Sequence, residues 1–568
     1  MDSLVAPVTT QIGHTKSSRG GWNAAIFIIF VEMAERFAFY GLAGNLITYL
    51  TNNLGQPIAT AVKNVNTWVG VSYIFPLLGA FIADSYLGRF KTIIASSIIY
   101  FLGMVLLSLS VSVIPKHSRE AVFFTALYLL AIGEGGHKPC VQAFAADQFD
   151  ENNPEEKAAK SSFFNWWYLG IVTGSSLAIV AVVYLQDNVS WTAGFGVLAG
   201  SLAVAFALFL IGIKRYRKQS PVGSQFTRVA QVLVAAAKKW RVSETHGGRG
   251  ICLEDQSSDC YACGQTRGRT LVRTKQFRFL DKAMIIDDVD DMSMTRNPWR
   301  LCSLNQVEEV KLVLCLIPIW LSGLMFFVVV AQLQTFFVKQ GSTMIRSMGS
   351  NFQVPAAAMQ CIVGLTVLIA VPIYDRVFVP IARKVFGHRT GITMLQRIGI
   401  GLLVAIVNMV VAGFIETKRI NTAKNYGLVD SPKIVVPMSI WWLLPQYVLI
   451  GIGDVFTIVG LQELFYDQMP EGIRSLGAAV FVSVVGVGSF INNAIIAILQ
   501  KITSRNENVW LGNNFNRAHL NYFYWVLAGL NAVNFCVYLW IANRFVYKRI
   551  GSDETRDERE LENQGYSN

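Results

Sequence analysis

Long apolar segments alternate with short polar stretches along most of the chain. A helix needs about 20 apolar residues to cross the hydrocarbon core of a bilayer, and twelve segments approach or exceed that length. They cover residues 24–50, 66–86, 91–113, 121–145, 163–185, 192–213, 306–338, 352–380, 391–415, 437–468, 474–500 and 520–546. We therefore predict an all-α membrane protein with twelve transmembrane helices in two halves of six.

A hydrophilic stretch of about ninety residues separates the two halves. We divide the chain into an N-terminal tail, a six-helix bundle, a linker, a second six-helix bundle and a disordered tail, over residues 1–21, 22–213, 214–305, 306–546 and 547–568. Within the linker, residues 224–241 combine an apolar stripe with basic residues at the C-terminal end. This pattern is typical of an amphipathic helix lying at a membrane interface.

Composition and charge agree with a membrane protein and indicate its orientation. Charged residues make up 15% of the chain, against about 25% in soluble domains. The net charge is +12, and residues 214–300 hold 17 Lys and Arg against 9 Asp and Glu. Basic loops favour the cytoplasm, so we place the linker and both termini there, although the loop 416–436 on the other side also carries basic residues.

The basic linker lies between membrane spans, so it does not indicate a nucleic-acid partner. The expected partners are protons, a small-molecule substrate and the lipid bilayer. Oligomeric state stays open, as does the choice between the plasma membrane and the vacuolar membrane.

One group of cysteines in the linker has the partial spacing of a metal site. Cys260 and Cys263 are two residues apart, with Cys252 and His246 nearby. A structural zinc site needs four ligands, usually as two such pairs, and no second pair is present. We interpret these cysteines as reduced thiols and predict no metal site.

The first span carries three ionisable residues, Glu32, Glu35 and Arg36, in the run FIIFVEMAERFAFYG. One charge at the centre of a span costs about 2.5–3.5 kcal/mol on insertion scales. The three positions share one helical face, so that face must line protein or a water-filled cavity. Two acids and one base leave a carboxylate without its own partner, and such a group takes up protons more readily. A salt-bridged cluster that only fixes helix packing is the alternative. The pattern favours a transporter driven by a proton gradient, without a cofactor.

Two more charged residues lie inside later spans. Lys138 stands in GEGGHKPC, where glycines allow a close approach of helices. It needs an anion, which we expect from Glu35, Glu32 or Glu463, unless its side chain reaches the membrane interface instead. Glu463 gives the second half a carboxylate. If it faces the cavity, it lies opposite the cations of the first half.

Uncharged polar residues in the spans are candidates for hydrogen bonds to a substrate, or alternatively for joining helices to each other. We name Tyr40, Tyr73, Asn165 and Gln332.

Similar charged motifs recur in the two halves. Asp84 is followed by Arg89 and Lys91 after the second span, and Asp375 by Arg376 after the eighth. We interpret these residues as a gate or a turn. The match suggests a duplicated six-helix unit, and such repeats place the substrate at the interface of the halves.

Seven motifs together identify a family. They are EMAERFAFYG at 32–41, GAFIADSYLGRFKT at 79–92, GHKPCVQAFAADQFD at 136–150, FFNWWYLG at 163–170, PIYDRVFVPIARK at 372–384, LQRIGIG at 395–401 and LQELFYDQMP at 461–470. The chain resembles, from about residue 22 to 546, the plant nitrate transporter/peptide transporter family. That family is a branch of the proton-coupled oligopeptide transporters within the major facilitator superfamily.

The resemblance implies roles for the charged residues. Glu32 and Glu35 would respond to protons, Arg36 and Lys138 would bind an anionic group, and Glu463 would face a substrate amino group. Three positions depart from relatives. Val172 replaces an asparagine usual in peptide carriers, residues 66–68 lack the histidine of animal peptide carriers, and Val330 replaces the histidine of a nitrate carrier.

We therefore predict a proton-coupled symporter that moves a small solute by alternating access, either a di- or tripeptide or a small organic or inorganic anion. A low-affinity nitrate carrier or plant-hormone carrier of the same family is the alternative. A membrane sensor that does not transport is an alternative of another class. We predict no enzymatic activity, because no nucleophile–base set or phosphate loop is evident.

Overall fold

The computed structural model describes residues 19–150, 153–218, 223, 225–241, 273–274, 276–287, 297–349, 352–386, 392–469, 474–503 and 510–545. The cysteines at 252, 260 and 263 lie outside these residues, as do the tail at 547–568 and most of the tail at 1–21. The described chain is almost entirely helical, as the long apolar segments predict.

The first half contains eight helices, some of them short. They are α1 Trp22–Ala43, α2 Leu46–Asn52, α3 Ile58–Ile82, α4 Arg89–Ser112, α5 Lys116–Ala146, α6 Pro154–Leu177, α7 Val183–Asn188 and α8 Trp191–Ile211. A π-helical turn, Ala178–Val182, joins α6 to α7. The linker contributes α9, Gln225–Lys238, and a 3-10 turn, Arg278–Met284.

The second half follows the same plan. Its helices are α10 Leu304–Val330, α11 Phe336–Ser342, α12 Cys361–Ile373, α13 Val379–Phe386, α14 Met394–Asn425, α15 Leu444–Gln468, α16 Arg474–Thr503 and α17 Leu520–Ala542. Short strands β1 Met344–Ile345 and β4 Val436–Ser439 pair in parallel, and β2 Ser347–Met348 pairs antiparallel with β3 Phe352–Gln353.

The long helices run back and forth between two ends of the molecule. The start of α1 lies beside the ends of α5 and α8, since Gly21 N donates to Gln148 O at 2.7 Å and Gly20 N donates to Arg215 O at 2.8 Å. The end of α17 lies beside the start of α14, where the Tyr538 hydroxyl donates to Leu395 O. We call this the linker end, and the opposite end, with α2, α11 and the strands, the far end.

Ten helical segments of the described chain are long and apolar enough to cross a membrane. The two other long helices are α1, which contains Glu32, Glu35 and Arg36, and α5, which contains Lys138. Both are packed inside the bundle, α1 against α6 and α8, and α5 against α3 and α4. The chain is a multi-pass membrane protein, and the count of twelve spans stays a prediction.

Glycines bring α3, α4 and α5 into close contact, as expected from the run GEGGHKPC. A Cβ atom on Gly133 would lie 2.6 Å from the Tyr100 backbone nitrogen, and one on Gly135 would lie 2.6 Å from the Cβ of Phe75. The closest approach involves Gly79, where a Cβ would lie 2.0 Å from the Gly135 oxygen. These contacts fix the position of α5, and with it Lys138.

Hydrogen bonds between the two halves occur only at the far end within the described chain. Asn493 of α16 contacts α3, donating to the oxygens of Lys63 and Thr67 at 3.0 and 2.9 Å and accepting from Asn66 at 3.1 Å. Gln360 donates to Gly44 O at 2.9 Å. The halves are therefore closed at the far end.

The apolar face of α9 packs against protein, and its expected place at the membrane interface stays a prediction. Val232, Ala235 and Ala236 are buried against the 3-10 turn and the start of α10. Charged groups join the 3-10 turn to α10, because the Lys311 ammonium lies 2.5 Å from Asp281 and 2.7 Å from Glu308.

The basic loop at the far end is less charged than the sequence suggested. Helix α14 continues to Asn425, so Arg419 lies inside the helix rather than in a loop. Arg419 is fully buried and pairs with Glu416 at 2.7 Å.

Candidate functional site

The three charged residues of α1 form one ion cluster facing the interior. Arg36 Nε lies 2.8 Å from Glu32 Oε1 and 3.1 Å from Glu35 Oε2. Both carboxylates are buried, and the Arg36 side chain is 16% exposed. One guanidinium therefore serves two carboxylates, as the sequence pattern indicated.

Lys138 pairs within its own helix, with Glu134. This partner differs from Glu35, Glu32 and Glu463, which we expected. The two residues are four positions apart on α5 and so share a face. Glu134 is fully buried, and the pair places a second cation beside the α1 cluster.

Aromatic rings surround the Lys138 ammonium on the remaining sides. The nitrogen lies 4.3 Å from the Phe39 ring centroid and 4.0 Å from that of Tyr73. Cation–π contacts of this kind are worth about 0.5–2 kcal/mol. Tyr40 packs edge-on against Phe39 at 5.3 Å, so Tyr40 and Tyr73 belong to the wall of the same site.

Glu463 of α15 contacts neither Arg36 nor Lys138. Its carboxylate accepts a hydrogen bond from Arg397 Nη1 at 3.0 Å, and its side chain is 49% exposed. Arg397 is itself buried, donates to Val455 O at 3.0 Å and lies over the Tyr374 ring at 4.3 Å. Half of the Glu463 side chain is therefore not covered by protein, and the carboxylate is held in place by a cation of its own half.

One of the named polar residues, Gln332, does not line an open cavity here. Gln332 is fully buried and donates to Asn492 Oδ1 at 3.0 Å, so in this conformation it joins α10 to α16. The side chain of Asn165 lies outside the described part of the chain.

The gate residues take up matching positions in the two halves. Asp84 belongs to a π-helical turn, Ala83–Leu87, that follows α3, and Asp375 to a π-helical turn, Tyr374–Phe378, that follows α12. Arg89 lies 2.6 Å from Asp147 and 3.7 Å from Asp84. Lys91, Asp375 and Arg376 are exposed. The shared turn agrees with the expected duplication.

A further ion pair closes the linker end of the first half. Arg217 donates to both carboxylate oxygens of Glu156, at 2.7 and 3.0 Å. These hydrogen bonds hold the pKa of Glu156 below its ordinary value.

The sequence interpretation missed two functional candidates. Glu134 could have been found, because its spacing of four from Lys138 is the spacing of a helical ion pair. Arg397 lies 66 positions from Glu463, and nothing in the sequence links the two.

The arrangement suits the binding of a charged solute. The first half presents Arg36 and Lys138, the second presents Glu463, and among the described residues no ion pair crosses between them. A solute with a carboxylate and an amino group could contact both halves at once.

The sequence matches the family model described as PTR2, POT family, over residues 90–513. The chain belongs to the POT family. It is 61% identical over 547 residues to Protein NRT1/PTR FAMILY 5.4 of Arabidopsis thaliana, covering 96% of this chain and 98% of that protein. It is 47% identical over 556 residues to Protein NRT1/PTR FAMILY 5.10 of the same organism, covering 94% and 95%. POT family members are transporters and not enzymes.

Solved structures of POT family members show the same fold. An auto-inhibited POT family peptide transporter matches with a TM-score of 0.70 at 23% identity, over 92% of this chain and 97% of that chain. A POT family transporter in complex with 5-aminolevulinic acid matches with a TM-score of 0.60 at 16% identity, over 90% and 95%. The predicted major facilitator fold is confirmed.

Proposed function

We propose that this protein is a proton-coupled symporter that carries a small solute by alternating access. The observation that carries the proposal is the α1 cluster, in which one partly buried guanidinium is shared by two buried carboxylates. A proton on either carboxylate removes its attraction for Arg36. Arg36 then keeps only one charged carboxylate partner and can offer its other donors to an anionic group of the solute.

Protonation drives transport only if the two conformations differ in proton affinity. We propose that, in the conformation closed at the far end, the cluster exchanges protons with the side of the linker end. Opening the far end instead would expose the α1 cluster to protons on the other side of the membrane. We assign the linker end to the cytoplasm, from the basic residues of the linker, and the membrane to either the plasma membrane or the vacuolar membrane.

For the solute we propose a di- or tripeptide or a small organic or inorganic anion. Arg36 and Lys138 offer cations to a carboxylate, and half-exposed Glu463 offers an anion to an amino group. A structural relative binds 5-aminolevulinic acid, which carries both groups.

A nitrate or plant-hormone carrier is the second candidate. Its support is the pair of cations on the first half, which suits a solute without an amino group. For nitrate these two cations must suffice, because Gln332 is buried and Val330 supplies no charge. A non-transporting sensor is a third candidate, which an uptake measurement separates from both.

The test compares uptake of a labelled dipeptide, nitrate, 5-aminolevulinic acid and plant hormones at external pH 5.5 and 7.5 in one expression system. We expect faster uptake of at least one solute at pH 5.5. Glu35→Gln should cancel this pH dependence, because the amide cannot take up the proton. A roughly tenfold lower rate of uptake by this variant at pH 5.5 corresponds to a difference of about 1.4 kcal/mol in activation free energy.

Glu156→Gln is the matched control, since it makes the same chemical change in a Glu–Arg pair outside the candidate site. It should retain the wild-type pH ratio. If Glu35→Gln retains that ratio as well, the coupling assignment is wrong. If the wild-type protein, present at the membrane, takes up none of the solutes at either pH, the sensor is favoured.

A further inference from the structure

A polar cavity at the far end is separate from the candidate site between the halves. Its volume is about 750 Å³, within the roughly 300–1,000 Å³ typical of small-molecule pockets. Both halves contribute walls, since Thr51 and Trp191 belong to the first half and Lys339 and Arg346 to the second.

Lys339 of α11 brings a buried positive charge to this cavity. The residue is 8% exposed, and its ammonium donates to Thr51 Oγ1 at 2.9 Å and to Asn52 Oδ1 at 3.3 Å. Both acceptors are neutral. Burial lowers the pKa of Lys339 to about 8, so most of the ammonium is still charged at pH 7. A buried charge is unfavourable unless it is paired, and an ammonium has three donors. Lys339 therefore keeps donor capacity and charge for a ligand.

Two more cations line the cavity, Arg346 and Lys433. Asp187 is the one carboxylate among the described lining residues. It accepts a hydrogen bond from Asn45 at 2.8 Å and is attracted by Arg346. Three cations thus face one carboxylate. The excess positive charge favours an anion and disfavours a free amino group.

We infer that the far-end cavity binds a small soluble anion, a carboxylate or a nitrate-like oxyanion, through Lys339, Arg346 and Lys433. Ammonium and guanidinium groups bind such oxygens through charge-assisted hydrogen bonds. The walls of both halves meet around the cavity only while the far end is closed, so the anion stabilises this conformation. The inference goes beyond the proposed function, because the binding is measurable whether or not the protein transports a solute.

The experiment uses purified full-length protein in lipid-free maltoside micelles at pH 7. Sodium acetate or sodium nitrate replaces sodium fluoride at constant ionic strength, and the thermal unfolding midpoint is recorded. An anion that binds the folded protein raises the midpoint with its concentration. All variants carry Lys138→Gln, which removes one cation of the site between the halves, so the remaining rise reports mainly the far-end cavity.

We expect a saturable rise in the Lys138→Gln background. Adding Lys433→Gln should increase the half-saturating anion concentration roughly threefold to fivefold, the effect of one exposed charge. Adding Lys339→Gln should abolish the rise. Lys424→Gln is the control, because Lys424 is exposed at the same end and is not among the described lining residues.

The inference is overturned if Lys433→Gln and Lys424→Gln respond alike, or if the background variant shows no saturable rise. If Lys339→Gln does not fold, Arg346→Gln takes its place, with the same expected increase in half-saturating concentration as Lys433→Gln. The inference is also overturned if the half-saturating anion concentration is unchanged in both Arg346→Gln and Lys433→Gln.

Discussion

Each of the three cations nearest the candidate site has its carboxylate in the same half of the molecule. Arg36 pairs with Glu32 and Glu35, and Lys138 with Glu134. Arg397 of the second half pairs with Glu463. The halves can therefore rock against each other without breaking these pairs. A solute that displaces a carboxylate from its cation in one half can then bridge to the other.

Arg397 and Glu463 should contribute unequally to stability. Arg397 is buried and also contacts Val455 O and the Tyr374 ring. Arg397→Gln should therefore lower the free energy of unfolding by about 2 kcal/mol. Glu463 is half exposed, so Glu463→Gln should cost below about 1 kcal/mol. Thermal unfolding midpoints of the purified variants measure the difference. Equal midpoints would show that the additional contacts of Arg397 contribute nothing.

For individual residues, the sequence predicted which charges lie inside the membrane better than it predicted the ion-pair partner of each charge. The cluster of Glu32, Glu35 and Arg36 follows from helical spacing alone. Lys138 has a nearby partner on its own helix, which the search for a distant anion overlooked. Arg397 could not be found, because its pairing with Glu463 depends on how α14 packs against α15.

Among the helices, α3 and α5 can lie this close together because glycines, which have no side chain, stand at their contact. The sequence predicted a close approach at Gly133, Gly135 and Gly136, but it did not show what approaches them. The structure supplies the answer, which is Gly79 together with the backbone of Phe75 and Tyr100. Helical periodicity shows which face is small and cannot show which helix it meets.

Gly79→Ala should therefore destabilise the first half. The new methyl group would lie 2.0 Å from the Gly135 oxygen, so the two helices must separate. Overpacking of this kind costs about 1–3 kcal/mol. Gly200→Ala of α8 is the control, because no atom lies within 4 Å of its added Cβ. We expect a lower unfolding midpoint and less protein at the membrane for Gly79→Ala alone. Comparable losses in both variants would contradict the packing argument.

The linker helix shows a different limit of sequence interpretation. The apolar stripe of α9 predicts a helix, and it fits a membrane surface or a protein surface equally well. The structure buries Val232, Ala235 and Ala236 on the start of α10, with Lys311 and Asp281 in contact beside them. The linker helix therefore packs on the second half, and Phe226 also brings it into contact with Phe81 of the first half.

For the molecule as a whole, the asymmetry between its two ends defines its conformation. Every hydrogen bond between the halves in the described chain lies at the far end, and several of them involve Asn493. The sequence predicted the two halves and the alternating direction of the helices. It could not predict which end is closed, because both conformations use the same spans.

Asn493→Ala should shift the protein toward opening of the far end. It removes hydrogen bonds to Lys63 O, Thr67 and Asn66, each worth about 0.5–1.5 kcal/mol. Distances between spin labels on the two halves at the far end measure the shift. Asn531→Ala is the control, since Asn531 is also buried but donates to Leu527 O of its own helix. We expect a longer distance population in Asn493→Ala, whereas identical distance distributions in the two variants would exclude a role for Asn493 in closure.

The groups that close the far end around Asn493 and Gln360 are amides, a hydroxyl and backbone oxygens. Dissolved salt weakens interactions between separated charges over a Debye length of about 8–10 Å, and it has little effect on neutral hydrogen bonds. These particular contacts should consequently be insensitive to the ionic strength of the surrounding solution, whereas the contribution of Lys339, whose ammonium donates across the halves to Thr51 and Asn52, should change with the salt that is present.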